Sequence, residues 1–163
     1  MPAAQTPAPE RPDISVVVPV YKEEDNIRPF VQRIEAVMAG LGTSYEILFC
    51  LDPSPDRTEV AIQEEIERNR RIKLVVFSRR FGQPAATLAG ILLCTGRTCV
   101  VIDVDLQDPP ELIAELYAKI GEGYEVAYAQ RRTRKGETWA KRIVSVVGYY
   151  IISRITDIQI PRN

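Results

Sequence analysis

The sequence contains no histidine, and this absence narrows the chemistry open to it. Histidine is the commonest metal ligand and the commonest general base in proteins. Metal or acid–base chemistry must therefore rest on carboxylates, which favour hard cations such as Mg²⁺ or Mn²⁺. The cysteines are few and odd in number, and Cys50, Cys94 and Cys99 lie in or beside apolar runs. We predict buried thiols in a reducing compartment.

Long apolar runs and a strong net charge are also lacking. No stretch reaches the ~20 apolar residues that a membrane-spanning helix needs. The first 12 residues contain four prolines and no apolar segment, so they predict a disordered leader and no signal peptide. We therefore expect a cytoplasmic protein. A net charge of −1 provides no general attraction to nucleic acid, which is not expected as a partner.

Short β-branched segments alternate with helical patterns from residue 13 to residue 130, in a chain whose length suits one domain. The predicted strands are Ile14–Val20, Glu46–Asp52, Ile72–Ser78, Cys99–Asp103 and Glu125–Gln130. The predicted helices are Glu24–Leu41, Asp56–Asn69, Gln83–Thr95 and a last one that ends at Gly121. Asp108, Pro109 and Glu111 predict a capping box at the start of this last helix. The alternation predicts a mostly parallel α/β sheet, with ligands beyond the carboxyl ends of its strands.

The strongest functional signal follows the fourth predicted strand, where one residue separates Asp103 from Asp105. Residues i and i+2 of an extended segment share a face, so the two carboxylates can converge on one site. They repel each other unless a proton or a cation lies between them. Mg²⁺ prefers few protein oxygens together with phosphate and water, and Gln107 can add a neutral oxygen. The alternative interpretation is a polar loop in which Asp108 caps the next helix.

Two other predicted strand ends carry polar side chains. After the first strand, Tyr21 can stack on a base or ribose, and Glu23 can accept hydrogen bonds from hydroxyls or base nitrogens. A solvated helix start with acids favoured by the dipole explains the same residues. After the second strand, Asp52 can accept the imino hydrogen of a nucleobase. Asp56 is better placed to cap the following helix, and Ser54 fits either a turn or a ligand contact.

Taken in order, these motifs resemble family 2 glycosyltransferases with the GT-A fold, especially the polyprenyl-phosphate (dolichol-phosphate-type) hexosyltransferases. The resemblance runs from about Ile14 to Asn163. Its motifs are Val18–Glu23, Asp52–Thr58, Ser78–Gly82, Asp103–Glu111 and Arg131-x-x-Arg134-x-Gly136-Glu137. The family usually has Asn at the position of Lys22, and two acids where this chain has Leu51 and Asp52.

The resemblance implies a Rossmann-like GT-A domain at residues 13–130 that binds a nucleotide diphosphate sugar. It implies that the nucleoside is held by four residues, namely Pro19, Tyr21, Glu23 and Asp52. Asp103 would contact the ribose or the metal shell, and Asp105 and Gln107 would ligate Mg²⁺ or Mn²⁺.

The same resemblance implies a reaction that moves a hexose to a polyprenyl phosphate with inversion. Arg131 and Arg134 would approach the diphosphate or the lipid phosphate, and with Asp103 and Asp105 they make up the implied catalytic set. Relatives continue beyond such a point with acceptor-side residues, so we expect residues 131–163 to lead into a missing C-terminal part.

Residues 131–163 form a basic and then an apolar pattern that predicts helix. The basic residues precede Ile143–Ile152, which is apolar and too short to span a bilayer. This arrangement suits an anionic membrane surface on the cytoplasmic side, and a core helix packed under the sheet suits it equally.

Three other readings compete with an active transferase. A truncated nucleotide-binding module without activity fits the same motifs, and a plain α/β interaction domain fits the alternation alone. A dinucleotide enzyme requires a Gly-x-Gly-x-x-Gly turn after the first strand, where this chain has Pro19–Glu24. The sequence does not distinguish among sugars, bases or oligomeric states.

Overall fold

The computed structural model describes residues 11–130, where four strands alternate with four helices. The strands are β1 (Ile14–Val20), β2 (Tyr45–Leu51), β3 (Ile72–Val76) and β4 (Thr98–Val101). The helices are α1 (Ile27–Leu41), α2 (Thr58–Arg68), α3 (Gln83–Leu93) and α4 (Leu112–Gly121). The strands form one parallel sheet in the order β3-β2-β1-β4, which confirms the predicted α/β class.

Strand β1 lies inside the sheet and is buried at every position. The sequence of β1 is almost continuously apolar because both faces of the strand are covered by other parts of the protein. Val16 and Val18 pack on one face in the main core with α1, whereas Val17 packs on the other with Ala86 of α3. The chain proceeds outward from β1 to β3 and then returns to place β4 on the other side of β1. The carboxyl end of β1 is therefore the switch point where α/β sheets bind ligands.

Helix α1 packs Phe30 against Phe49 of β2, edge to face at 6.2 Å. Its apolar residues recur at helical spacing, which predicts one buried stripe, and the buried residues are Ile27, Phe30, Val31, Ile34 and Met38. Burying a side chain of the size of Phe30 contributes about 1.5–3 kcal/mol, so Phe30→Ala would remove much of the domain's stability. The helix ends at Leu41 and is capped by Gly42, whose φ of 64° suits glycine and whose N–H donates to the carbonyl of Met38.

Helix α3 packs on the sheet through its small residues. A Cβ added at Gly90 would lie 2.2 Å from Val17 Cγ1 and 2.9 Å from Cys50 Sγ, so the helix backbone sits directly on the strands. Its large apolar side chains, by contrast, are exposed, and Leu92 reaches 75%. Within residues 11–130, no helix is long and apolar enough to cross a bilayer.

The predicted strand Glu125–Gln130 is wrong. These residues adopt no regular structure, and Val126 and Tyr128 are 78% and 77% exposed. An apolar alternation forms a strand only when it pairs with a sheet edge and covers a core. In the part of the chain that the structure describes, β4 pairs with β1 alone and meets no segment at 125–130.

The predicted capping box before the last helix is also wrong. The helix begins at Leu112, which places Glu111 at the N-cap position and not at the third helical position. The Glu111 carboxylate accepts two hydrogen bonds from Arg33 of α1, at 3.1 Å from Nε and 2.5 Å from Nη2. A bidentate arginine contact outweighs a local cap, and it lowers the pKa of Glu111.

Other element ends differ from the predicted bounds by at most three residues. Two of these shifts matter for function, because β2 ends at Leu51 and β4 at Val101, which places Asp52 and Asp103 in the loops beyond the strands. Residues 1–10 of the predicted leader and the whole predicted segment 131–163 lie outside the described residues.

Candidate functional site

The polar residues of interest lie at the carboxyl edge of the sheet. Because β1 lies between β2 and β4, the loops that follow these three strands are neighbours. The loop after β1 contains Tyr21, the loop after β2 contains Asp52, and the loop after β4 contains Asp103.

The loops after β1 and β2 are joined by hydrogen bonds. The N–H of Lys22 donates to Ser54 Oγ at 2.9 Å, and the N–H of Glu23 donates to Thr58 Oγ1 at 2.8 Å. Glu23 Oε2 accepts a further bond from Asn26 Nδ2 at 2.6 Å, so part of this predicted ligand is used within its own loop. Lys22 has a φ of 60°, a conformation in which residues other than glycine are uncommon. The two loops therefore form one shaped unit.

Asp56 stabilises these two joined loops through hydrogen bonds. Its Oδ1 accepts bonds from Ser54 Oγ at 2.6 Å, from Thr58 Oγ1 at 2.7 Å and from the Thr58 N–H at 3.3 Å. Burial alone would raise the pKa of Asp56, but the hydrogen bonds from Ser54 and Thr58 outweigh it and lower the pKa. The N-cap position of α2 is Arg57, so Asp56 contacts the first turn from one residue earlier than a standard cap.

The ring of Tyr21 makes a cation–π contact with an arginine. The guanidinium of Arg80 lies 4.1 Å from the ring centroid, and Lys22 Nζ lies 5.4 Å from it. Arg80 belongs to the segment between β3 and α3, residues 77–82, which we call the β3–α3 loop. Cations over an aromatic face are held by the ring quadrupole. The result is a positively charged aromatic platform at the switch point. Pro19, implied beside Tyr21 in nucleoside binding, lies buried within β1 opposite Cys50.

Asp52 does not face open space. It is 3% exposed, and its two oxygens accept the backbone N–H groups of Phe81 at 3.0 Å and Gly82 at 2.8 Å. The predicted acceptor for a nucleobase is thus already bound to the β3–α3 loop.

Asp103 and Asp105 are exposed in the segment that follows β4, and Asp105 lies in a turn. Their neighbours Ile102 and Val104 are buried, so exposed and buried residues alternate here as the predicted i, i+2 relation requires. Asp103 Oδ1 accepts a hydrogen bond from Gln83 Nε2 at 2.8 Å. Both aspartates therefore lie at the surface, beyond the carboxyl end of β4.

A tight turn follows this pair. Asp105 Oδ1 accepts the N–H of Gln107 at 3.0 Å, and Leu106 between them has a φ of 59°. The turn brings the backbone amide of Gln107 to the Asp105 carboxylate, and the assignment of these two residues as metal ligands stays a prediction.

The chemistry of this pair fits a hard divalent cation. Each carboxylate accepts one hydrogen bond through its Oδ1, from Gln83 and from the Gln107 N–H respectively, and both residues are exposed, as a cation that keeps bound water requires. No group of three acidic, cysteine or histidine side chains forms a complete metal cage among residues 11–130. A cation here needs further oxygens from a ligand and from water, as Mg²⁺ prefers.

Arg80 and Gln83 were not predicted as site residues. Both follow the end of β3, in or directly after the motif Ser78–Gly82. Two consecutive arginines before Phe81-Gly82 at a strand end were the available signal. Arg131 and Arg134 lie outside the described residues.

A parallel sheet with polar loops gathered at its switch point defines a Rossmann-like ligand-binding domain. The family described as "Glycosyl transferase family 2" matches residues 15–162. The chain therefore belongs to glycosyltransferase family 2.

Two relatives carry the comparison further. The uncharacterized glycosyltransferase YkcC of Bacillus subtilis is 47% identical over 147 residues, which are 90% of this chain and 46% of YkcC. The uncharacterized glycosyltransferase sll0501 of Synechocystis sp. is 44% identical over 151 residues, 93% of this chain and 48% of that protein. The chain thus spans about half the length of these relatives.

The fold has a counterpart among solved structures. The mannosyltransferase PcManGT of Pyrobaculum calidifontis, in complex with GDP-Man and Mn²⁺, superposes with a TM-score of 0.55 and 24% sequence identity. The match covers 65% of this chain and 31% of PcManGT. This likeness supports the GT-A fold that the sequence resemblance implied.

Proposed function

We propose that this chain forms the nucleotide-sugar-binding half of a metal-dependent, inverting glycosyltransferase that moves a hexose from a nucleotide diphosphate to a polyprenyl phosphate. The observation that supports the proposal best is the exposed pair Asp103 and Asp105 at the sheet edge. Family membership supports the transfer of a sugar from a nucleotide, and the GDP-Man and Mn²⁺ bound by PcManGT are the kind of ligands that such an edge would take.

Each loop contributes a different contact in this proposal. Tyr21 stacks on the nucleoside, and Glu23 and the backbone near Pro19 complete its pocket. Arg80, held on the Tyr21 ring, donates charge-assisted hydrogen bonds to phosphate oxygens. Asp105 and Gln107 would hold Mg²⁺ or Mn²⁺, and Asp103 would contact the ribose or the metal shell. When bound, the cation supplies positive charge that neutralises the departing diphosphate.

The acceptor side rests on the sequence alone. Arg131 and Arg134 suit the diphosphate or the phosphate of a polyprenyl acceptor. Such a phosphate is already an anionic nucleophile, so orientation matters more than deprotonation. The basic residues of 131–142 and the apolar Ile143–Ile152 suit a peripheral position on an anionic cytoplasmic membrane surface.

Calorimetric titration tests the nucleotide site. We expect UDP- or GDP-sugars to bind in the presence of Mn²⁺ and much more weakly in its absence. Asp105→Ala should weaken metal-dependent binding by about a hundredfold while the fold is retained, because a cation ligand is lost. Glu64→Ala, at an exposed site on α2, is the matched control and should bind as the wild type does. Unchanged binding in Asp105→Ala would refute the metal site.

A transfer assay with a polyprenyl phosphate tests the reaction. Turnover with a nucleotide sugar supports the transferase. Binding without turnover identifies this chain as a nucleotide-binding module, which is the alternative function.

A further inference from the structure

A buried carboxylate at the carboxyl edge of the sheet has no role in the scheme above. Asp52 follows β2 and is 3% exposed. Burying a carboxylate costs several kcal/mol unless hydrogen bonds satisfy it. Here the satisfaction comes from two consecutive backbone N–H groups, those of Phe81 and Gly82. Asp52 therefore holds the backbone of the β3–α3 loop and presents little of its surface to a ligand.

Residues on both sides of this anchor reach the candidate site, one in the β3–α3 loop and one at the start of α3. On one side, Arg80 lies on the ring of Tyr21. On the other side, Gln83 donates to Asp103 at 2.8 Å. Gly82, whose N–H meets Asp52, has a φ of 87° that fits glycine and turns the chain into α3. The positions of Arg80 and Gln83 thus depend on where Asp52 holds the backbone between them.

We propose that Asp52 is a positioning residue that fixes the β3–α3 loop, so that Arg80 and Gln83 are held against Tyr21 and Asp103. This proposal rests on the proposed function, since it assigns the anchored groups to nucleotide binding. It departs from the role that the family resemblance implies for Asp52, which is direct contact with the nucleoside.

The two roles predict different dependence on the base. A carboxylate that accepts the imino hydrogen of a base affects only ligands that carry a base. A carboxylate that positions the loop affects every ligand that reaches Arg80 or the cation site, including inorganic pyrophosphate.

The first experiment measures Mn²⁺-dependent binding of UDP, GDP and pyrophosphate to the wild type, Asp52→Asn and Asp52→Ala. We expect each variant to lose the same factor for all three ligands, about tenfold for Asp52→Ala and less for Asp52→Asn, which keeps one acceptor oxygen. Loss for UDP and GDP with unchanged pyrophosphate binding would overturn the proposal in favour of direct base contact. Glu64→Gln serves as the control and should leave all three affinities unchanged.

The second experiment reads the loop itself. Amide hydrogen exchange should show protected N–H groups at Phe81 and Gly82 in the wild type. In Asp52→Ala these two should exchange about tenfold faster, beyond any change at the core strands. Unprotected amides in the wild type, or unchanged ones in the variant, would overturn the proposal. A wild type that binds none of the ligands would refute the proposed function, while the exchange result would still decide the role of Asp52.

A milder variant covers the case in which Asp52 variants fail to fold. Gln83→Ala removes an exposed side chain and only the bond to Asp103. We expect a loss of about threefold in Mn²⁺-pyrophosphate binding with an unchanged melting temperature. Wild-type affinity in this variant would remove the link between the loop and Asp103 and thus overturn that part of the proposal.

Discussion

Strand β2 has a buried carboxylate at each end, and the two ends differ in what the carboxylate holds. Near its start, Glu46 is 4% exposed and binds Thr95, just beyond the C-terminal end of α3. Just past its end, Asp52 binds the loop that leads into the N-terminal end of α3. Two carboxylates at the ends of β2 therefore bind the residues next to the two ends of α3.

At the amino edge of the sheet, where the parallel strands begin, Glu46 lies at the centre of a hydrogen-bond network. Glu46 Oε1 accepts bonds from Ser15 Oγ at 2.5 Å and from the Thr95 N–H at 2.7 Å, and Oε2 accepts Lys73 Nζ at 2.5 Å. The N–H of Gly96 donates to Ser15 Oγ at 2.8 Å. The partners in this network are satisfied within the protein, so we expect it to contribute to stability.

The carboxyl edge is open by comparison. The loop that Asp52 holds leads to Arg80 and Gln83, which are exposed, and on to the exposed Asp103. If Asp52 has the positioning role proposed above, a buried carboxylate bonded to backbone N–H groups serves stability at one edge and ligand binding at the other. Substitutions at the amino edge should change the free energy of unfolding and spare affinity.

The largest expected effect at the amino edge is that of Gly96→Ala. A Cβ at this position would lie 2.6 Å from Ser15 Oγ and 2.7 Å from the Ser15 backbone nitrogen, so the backbone must shift. We expect a loss of about 3 kcal/mol in the free energy of unfolding, measured by urea denaturation. Gly40→Ala, which meets nothing within 4 Å in α1, is the control and should gain about 0.5–1 kcal/mol. A neutral Gly96→Ala would mean that the amino edge is loosely packed.

Glu46 should make stability depend on pH. Burial alone would raise the pKa of Glu46, but hydrogen bonds from Lys73, Ser15 and Thr95 outweigh burial and lower its pKa from 4.5 to about 2. Because the folded pKa lies below the unfolded one, the contribution is complete above about pH 4.5 and is lost as pH falls towards 2. We expect a loss of about 3 kcal/mol across this window, measured by denaturant titration at several pH values.

Glu46→Gln provides the matched test of that pH dependence. It should cost about 2 kcal/mol at pH 7, because Lys73 and the Thr95 N–H lose a charged acceptor. It should also flatten the pH dependence between pH 4.5 and 2 while leaving nucleotide affinity unchanged. A slope as steep as that of the wild type would assign the titration to another carboxylate.

The smallest expected effect lies at the carboxyl edge. In the described part of the chain, the two residues other than glycine with positive φ are Lys22 and Leu106, and both lie in its loops. Asn tolerates this conformation better than Lys does, because its short polar side chain can form local hydrogen bonds. Lys22→Asn should therefore raise the free energy of unfolding by about 0.5 kcal/mol, measured by thermal and denaturant melts. A destabilised variant would show that the Lys22 side chain makes a contact worth more than the strain.

The sequence predicted the central fold well because local pattern and tertiary place agree there. The continuous apolar run of β1 has the bounds that the structure shows, and the stripe of α1 is buried as its spacing requires. The exposed pair Asp103 and Asp105 also follows from local alternation with Ile102 and Val104.

The errors lie where a distant residue decides the outcome. Arg33 takes the carboxylate of Glu111 from 78 positions away, which no local capping pattern reveals. The burial of Asp52 depends on amides 29 and 30 positions later in the chain. The exposed segment at 125–130 shows the converse, since its alternation met no sheet edge among the described residues.

The close contact between Gly90 of α3 and the sheet also affects the other end of the helix. Its backbone rests on Val17 and Cys50, so any larger residue there must lift the helix from the strands. Gln83 lies seven residues earlier on the same rigid rod, about 10 Å away at 1.5 Å per residue. A shift of α3 away from the strands at Gly90 would tilt the helix. This tilt would move the side-chain amide of Gln83 away from Asp103. A methyl group added at this buried contact would in this way weaken the proposed cation site without touching it.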